Sequence, residues 1–278
     1  MTSTARDEAH GYGDDRHDGP VGPEPNGAIG DLGVMARRAL WLVPRDPASL
    51  VPAFIVPLFF FAVITGGLGN VSEAMAPGLD YKAFQLPVAI VFAVTGISQA
   101  PNLVVDIRSG YFDRLLITPM RRPILLLGLI LADVVVLVCL VVPVIGVGVL
   151  VGVDFATGIA GMAVFALLGV AWGIAFAGLP YAIALRTGSP SAVNASFVLF
   201  FPFAFLTSTF APEEALSGWL AAVAEVNPVT YLLDGMRSLV TDGWDGGAIA
   251  GAVAAIVVLG ALSHGLALAA LRGRLRRG

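Results

Sequence analysis

Residues 124–146 read ILLLGLILADVVVLVCLVVPVIG and open an apolar run over about 124–150 in which Asp133 is the only charge. A helix of about 20 apolar residues matches the ~30 Å hydrocarbon layer of a bilayer, and this run is long enough to cross it. A second run, FQLPVAIVFAVTGISQAPNLVV at 84–105, lies just upstream, and DIRSGYFDRLLITPMRRP at 106–123 separates the two. Moving outward, similar runs occupy about 50–69, 157–185, 190–210 and 247–271. Pro52, Pro57, Pro143 and Pro180 fall inside them. Membrane helices tolerate such prolines where neighbouring helices or waters satisfy the freed carbonyls. Composition agrees with this pattern. The chain of 278 residues is 57% hydrophobic and 13% charged, with a mean hydropathy of +0.84, against about 25% charged residues in a soluble domain. The expected fold is an all-α polytopic membrane protein with six transmembrane helices.

Charge placement sets the orientation, because Lys and Arg in short loops stay on the cytoplasmic side. With the N-terminus inside, that side collects Arg37, Arg38, Arg45, Arg108, Arg114, Arg121, Arg122, Arg186, Arg272, Arg274, Arg276 and Arg277. The outside receives only Lys82 and Arg237, among many Asp and Glu. Both termini are therefore expected in the cytoplasm of a bacterial cell. Arg stands at every basic position but Lys82, a bias of GC-rich bacterial genomes. No nucleic-acid partner is expected.

The first residues, 1–30, are polar and rich in Gly, Pro and Asp, and read as a disordered tail. Residues 31–46, DLGVMARRALWLVPRD, form an amphipathic element with Arg37, Arg38 and Trp41 off its apolar face. Basic helices that carry Trp suit the headgroup layer, so an interfacial helix is expected there. Residues 273–278 form a basic end. Cys139 is the single cysteine and lies in an apolar run, so it makes neither an internal disulfide nor a zinc site. No metal site is expected.

The charged stretch at 106–123 is the second amphipathic element. At about 100° per residue, Ile107, Tyr111, Phe112, Leu115 and Leu116 share one half of the wheel. Asp106, Ser109, Gly110, Asp113 and Arg114 share the other, and Arg108 breaks the apolar arc. Such a helix either rests on the membrane surface and neighbouring spans or docks into a groove on a partner. The outer segment between the fifth and sixth runs carries two weakly amphipathic stretches split by Asn227-Pro228, a turn and helix-start signal. Each is too short and polar to span alone, but together they can dip into the outer leaflet and return where protein covers their backbone.

Two of these stretches carry a resemblance. FLTSTFAPEEALSGWLAAVAEVNPVTYLLDGMR at 205–237 and SGYFDRLLITPMRRPILLLGLILAD at 109–133 resemble the ABC-2 type transporter permeases, and among them the daunorubicin-resistance type. The first carries that family's Gly-Trp-Leu element and its Asn-Pro-x-x-Tyr-x-x-x-x-x-Arg motif, here Asn227, Pro228, Tyr231 and Arg237. The second carries Leu-Leu-x-x-Pro followed by a basic pair. The resemblance covers about residues 30–272 and departs from the family at Thr207-Ser208-Thr209, where many relatives have Ser-Gly. It implies a transmembrane domain over 31–272, with 106–118 as a coupling helix that contacts a separate ATP-binding cassette subunit. Tyr111, Phe112, Leu115 and Leu116 would then be its anchors, and Arg108, Asp113 and Arg114 would set register. It also implies a second permease copy or a paralogous permease across the pathway. The motif residues would be an outer gate or, more plainly, an anchor for the outer turn.

The chain offers no engine of its own. A phosphate-cradling P-loop needs Gly-x-x-x-x-Gly-Lys-Ser/Thr, and the sole lysine, Lys82, follows Asp80-Tyr81 on the expected outer side. ATP and Mg²⁺ therefore belong to a partner, and the chain itself is expected to hold no cofactor and to catalyse no reaction. The expected cargo is a hydrophobic or amphipathic compound, with polysaccharide or glycolipid as the alternative. A different class, a proton-coupled carrier, would use Asp133 and His264. Asp133 must face protein or water, or be protonated. It is either a relay or substrate contact, or a hydrogen-bond partner of a neighbouring helix, of Arg186 or of another cytoplasmic charge. The Phe-rich fifth run, with Phe197, Phe201 and Phe205 beside Asn194, reads as packing or as the lining of an apolar path.

Overall fold

A computed structural model describes residues 47–75, 78, 80–110, 122–209 and 216–275. The expected tail, the interfacial helix with Arg37, Arg38 and Trp41, and Tyr111, Phe112, Asp113, Arg114, Leu115 and Leu116 lie outside them. The described residues fold into helices: α1 (Pro47–Met75), α2 (Tyr81–Thr95), α3 (Ala100–Arg108), α4 (Arg122–Leu150), α5 (Gly158–Thr187), α6 (Pro190–Val198), α7 (Phe200–Phe205), α8 (Trp219–Val226), α9 (Pro228–Thr241) and α10 (Gly246–Leu275).

Among the described residues four segments are long and apolar enough to cross a membrane: Tyr81–Arg108, Leu127–Leu150, Gly158–Thr187 and Gly246–Arg274. The other two expected runs are shorter apolar helices, Val51–Gly67 and Pro190–Phe205. The run expected at 190–210 is broken at Leu199 and ends at Phe205. Even as one unbroken helix, Pro190–Phe205 would rise only ~24 Å at about 1.5 Å per residue. The last helix absorbs the start of the expected basic end and runs on to Leu275.

α5 is the hub, packing on α10, α2, α4, α6, α3 and α9. Its longest contact is with α10, and small residues permit it. A Cβ on Gly178 would lie 2.5 Å from Ser263 Oγ and 2.6 Å from the backbone nitrogen of His264. Small residues allow helix backbones this close where lipid gives no hydrophobic drive to association. Gly178→Val is therefore expected to separate the two helices at a cost of about 3 kcal/mol, read as a lower melting temperature of the detergent-solubilised protein.

Helix ends follow local rules. Asp80 Oδ1 accepts from the N–H groups of Lys82 and Ala83 to start α2, and Asp245 Oδ1 does the same for Gly247 and Ala248 at α10. Lys82 Nζ donates to the Val151 carbonyl just past α4, a cation at a helix C-terminus. The expected turn at 186–190 is present. Gly188 ends α5 at φ +58°, and Ser189 with Pro190 starts α6.

α2 is the most buried helix, with Leu86, Ile90, Ala93 and Val94 fully enclosed. Its neighbours are α1, α4, α5 and α9. By contrast, α10 presents Val253, Val257, Val258 and Leu262 outward, and α1 presents Ile55, Phe59 and Phe60. Apolar outer faces on helices of this length suit lipid rather than water.

Candidate functional site

The run expected as one span at 84–105 is two helices. α2 stops at Thr95, and α3 begins at Ala100 with Pro101 in its first turn. The break exposes backbone groups that an unbroken helix would satisfy. Asp133 of α4 fills the gap, because its Oδ1 accepts from the N–H of Gln99 at 2.8 Å. The Tyr181 hydroxyl of α5 donates to Asp133 Oδ2 at 2.5 Å. Asp133 is 2% exposed. Trp172 Nε1 donates to Thr95 Oγ1 at 3.0 Å, and Asn102 Nδ2 donates to Gln99 Oε1 at 2.6 Å, so both edges of the break are tied. The geometry places Asp133 at the break, bonded to the backbone before α3 and to Tyr181 of α5.

Ile107 and Arg108, expected in a helix running from 106, instead finish α3. Gly110, at φ +71°, turns the chain where a continuing helix would need φ near −63°. Ile107 is buried, and Arg108 Nε donates to the Gly188 carbonyl at 2.8 Å. That bond latches α3 to the turn between α5 and α6.

At the other end of the bundle lies a polar cluster that the outer motif only partly announces. Asn227 caps α9, its Oδ1 accepting from Val229 N–H at 3.0 Å. Its Nδ2 donates to the carbonyls of Phe203 at 2.6 Å and Leu206 at 2.8 Å. It therefore fastens the start of α9 to the end of α7, and Pro228 occupies the first helical position, which needs no N–H. Tyr231 is exposed, and its hydroxyl donates to the Glu225 carbonyl at 2.7 Å.

Arg237 is buried, although charge counting assigns it to the outer loops. Its Nη1 donates to Ser208 Oγ at 2.8 Å, Nη2 to the Ser208 carbonyl at 2.6 Å and Nε to the Phe84 carbonyl at 3.3 Å. The guanidinium carbon lies 3.6 Å from the Phe84 ring centroid, a cation–π geometry. The Thr207 and Thr230 hydroxyls bond each other, and Thr209 Oγ1 donates to the Ala204 carbonyl. The departure from the family pattern at Thr207-Ser208-Thr209 thus supplies acceptors and donors to the cluster.

Between the cluster and the break, α1, α2 and α7 line an open-sided cavity of about 320 Å³, with Phe60, Phe201 and Phe205 half exposed at its mouth. Val56, Pro57, Phe60, Phe61, Val63 and Ile64 line it from α1, and Gln85, Val88, Ala89 and Phe92 from α2. Phe201, Phe205 and Thr209 complete the wall. Phe92 meets Phe201 and Phe205 edge to face at 6.0 and 6.1 Å. Two of the candidate pathway residues, Phe201 and Phe205, thus come together, and Phe92 joins them unforeseen. Phe197 packs instead on the core, Asn194 is exposed, and Asp133 sits at the helix break. Ligand pockets of ~300–1,000 Å³ with mostly apolar walls and few polar atoms suit small hydrophobic molecules.

His264 shares no hydrogen bond with Asp133. Its Nδ1 lies 3.1 Å from the Gly260 carbonyl, one turn back along α10. Among the described residues no group of His, Cys, Asp and Glu is arranged to hold a metal ion.

Comparison with known proteins assigns this arrangement. The daunorubicin resistance ABC transporter permease protein DrrB1 of Streptomyces coeruleorubidus is 27% identical to this chain over 219 residues, 76% of each chain. A Mycobacterium tuberculosis protein named "Probable doxorubicin resistance ABC transporter permease protein DrrC" is 24% identical over 211 residues, again 76% of each. The ABC-2 type transporter profile matches residues 31–241, from before α1 to the end of α9. This multi-pass helical chain is a membrane permease subunit and belongs to the ABC-2 type transporter family.

Proposed function

We propose that the chain is the membrane-spanning half of an exporter that moves apolar or amphipathic compounds, through the aromatic cavity between α1, α2 and α7. Six spans with both termini cytoplasmic, a re-entrant outer segment made by α8 and α9, and an interfacial helix at 31–46 complete the arrangement. ATP and Mg²⁺ act on a separate ATP-binding cassette subunit, which docks at the coupling segment 106–118. A second permease copy, or a paralogue, closes the pathway. The single observation that carries this reading is the cavity itself, apolar and aromatic, set on the most buried helix of the bundle. The drug-resistance names of the two relatives agree with a small-molecule cargo. The burial of α9 against α2, α5 and α10 supports the re-entrant outer segment, since its backbone is covered by protein. A proton-coupled carrier gains no support, because Asp133 and His264 are engaged by different partners.

The test is ATP-dependent uptake of an aromatic dye into inverted membrane vesicles that hold this chain with its ATP-binding partner. Uptake is expected to need both chains and to fall at least tenfold when Ala89→Phe fills the cavity. Uptake by this chain alone, driven by a proton gradient, would overturn the proposal. Docking is tested separately. Tyr111→Ala with Leu115→Ala is expected to leave the permease inserted while the ATP-binding partner no longer co-purifies and cargo no longer stimulates its ATPase. Normal association and turnover would defeat the coupling role of 106–118.

A further inference from the structure

The cavity contains one polar feature that its greasy walls do not explain. Gln85 is 2% exposed and lines the cavity from α2. Its amide nitrogen is fully committed, donating to Tyr81 Oη and to the Thr209 carbonyl, each at 3.0 Å. A carbonyl only accepts, so the Thr209 bond fixes which end of the amide faces it. The other end, Oε1, receives no donor from any described residue. Nor is it sealed away. His264 Nε2 is the only enclosed side-chain polar atom without a partner among the described residues, so Oε1 keeps an open side. The rest of the α2 wall of the cavity is hydrocarbon, from Val88, Ala89 and Phe92.

An acceptor held rigidly in an apolar chamber without a donor is unfavourable when the chamber is dry. The same atom becomes a specificity element once something brings a donor to it, because a site built to pair a hydroxyl or amine discriminates against analogues that lack one. We infer that Gln85 Oε1 is the polar recognition point of the cargo site, and that the preferred cargo has an aromatic body and at least one hydroxyl or amine donor. The aromatic body lies against Phe92, Phe201 and Phe205, and the donor points to the outer end of the cavity. Gln85 also touches the cluster around Ser208 through Thr209, so one side chain joins cargo and outer segment. This inference rests on the cavity lying on the cargo path.

The experiment uses two probes that differ by one donor, 1-pyrenemethanol and its methyl ether. Each is titrated into nanodiscs containing the full-length chain, with empty nanodiscs subtracted to remove partitioning. The wild type is expected to bind the alcohol about fivefold tighter than the ether. Gln85→Met, which keeps the side-chain length and removes the acceptor, is expected to bind both probes equally, at the level of the ether in the wild type. Equal affinities in the wild type overturn the inference without any variant. An alcohol preference that survives in Gln85→Met also overturns it while leaving the cavity assignment intact. If Ala89→Phe leaves both affinities unchanged, the cavity itself is the wrong site and the underlying reading fails.

Discussion

Arg237→Ala is expected to lower stability by about 3 kcal/mol, and Arg237→Lys by about 2 kcal/mol. Three donors of one guanidinium reach Ser208 and Phe84, and its face lies on the Phe84 ring. An ammonium is a point charge with no planar fork, so lysine can keep one of those bonds but not the set. Alanine leaves the Ser208 carbonyl buried without its donor. In a chain of this size about 3 kcal/mol corresponds to a drop of roughly 8 °C in apparent melting temperature, read by thermal unfolding in detergent. Export is expected to fall further than stability alone accounts for, because Thr209, next to Ser208 in the chain, lines the cavity. A lysine variant that melts and transports like the wild type would show that the cation matters only as charge.

The second large effect is expected at the helix break. Asp133→Leu orphans the Gln99 N–H and the Tyr181 hydroxyl together, at a cost of about 3 kcal/mol. Asp133→Asn keeps one carbonyl oxygen for Gln99, and Tyr181 can turn to accept from the new amide, so the loss is expected to stay near 1 kcal/mol. Export by the Asn variant is expected to stay within about threefold of the wild type. Asp133 and Tyr181 share one bond, so Asp133→Leu with Tyr181→Phe is expected to cost less than the two single changes added, by about 1 kcal/mol. A proton relay would give the opposite result: an Asn variant that melts normally but transports nothing. Melting curves and vesicle uptake measured on the same preparations separate the two cases.

Residue order reveals four long apolar segments among the described residues because a bilayer demands such runs, and they are visible without any contact information. The cap at Asn227 and the turn at Gly188-Ser189-Pro190 are legible for a similar reason, since each is set by residues within one turn. What remains hidden depends on distance along the chain. Arg237 meets Phe84 across more than half the sequence, and Asp133 meets Tyr181 from another helix. Periodicity carries no trace of either. Counting Arg237 as an outer charge treats every arginine as solvated, whereas this one is enclosed by carbonyls and a ring. The break at 96–99 has a weak signature in Gly96, Ser98 and Pro101, but an unbroken apolar pattern on both sides masks it. Gln85 and Phe92 look like ordinary span residues until α1 and α7 are placed against them.

The gap between Thr95 and Ala100 has a mechanical consequence. A continuous rod pushed at its inner end slides along its axis and delivers the same displacement everywhere. Here the inner segment is pinned to the loop at Gly188, while the outer segment forms a wall of the aromatic chamber. Force from the proposed partner, entering near Arg108, would reach Phe92 as a tilt about a single joint, with the carboxylate of Asp133 as its pin.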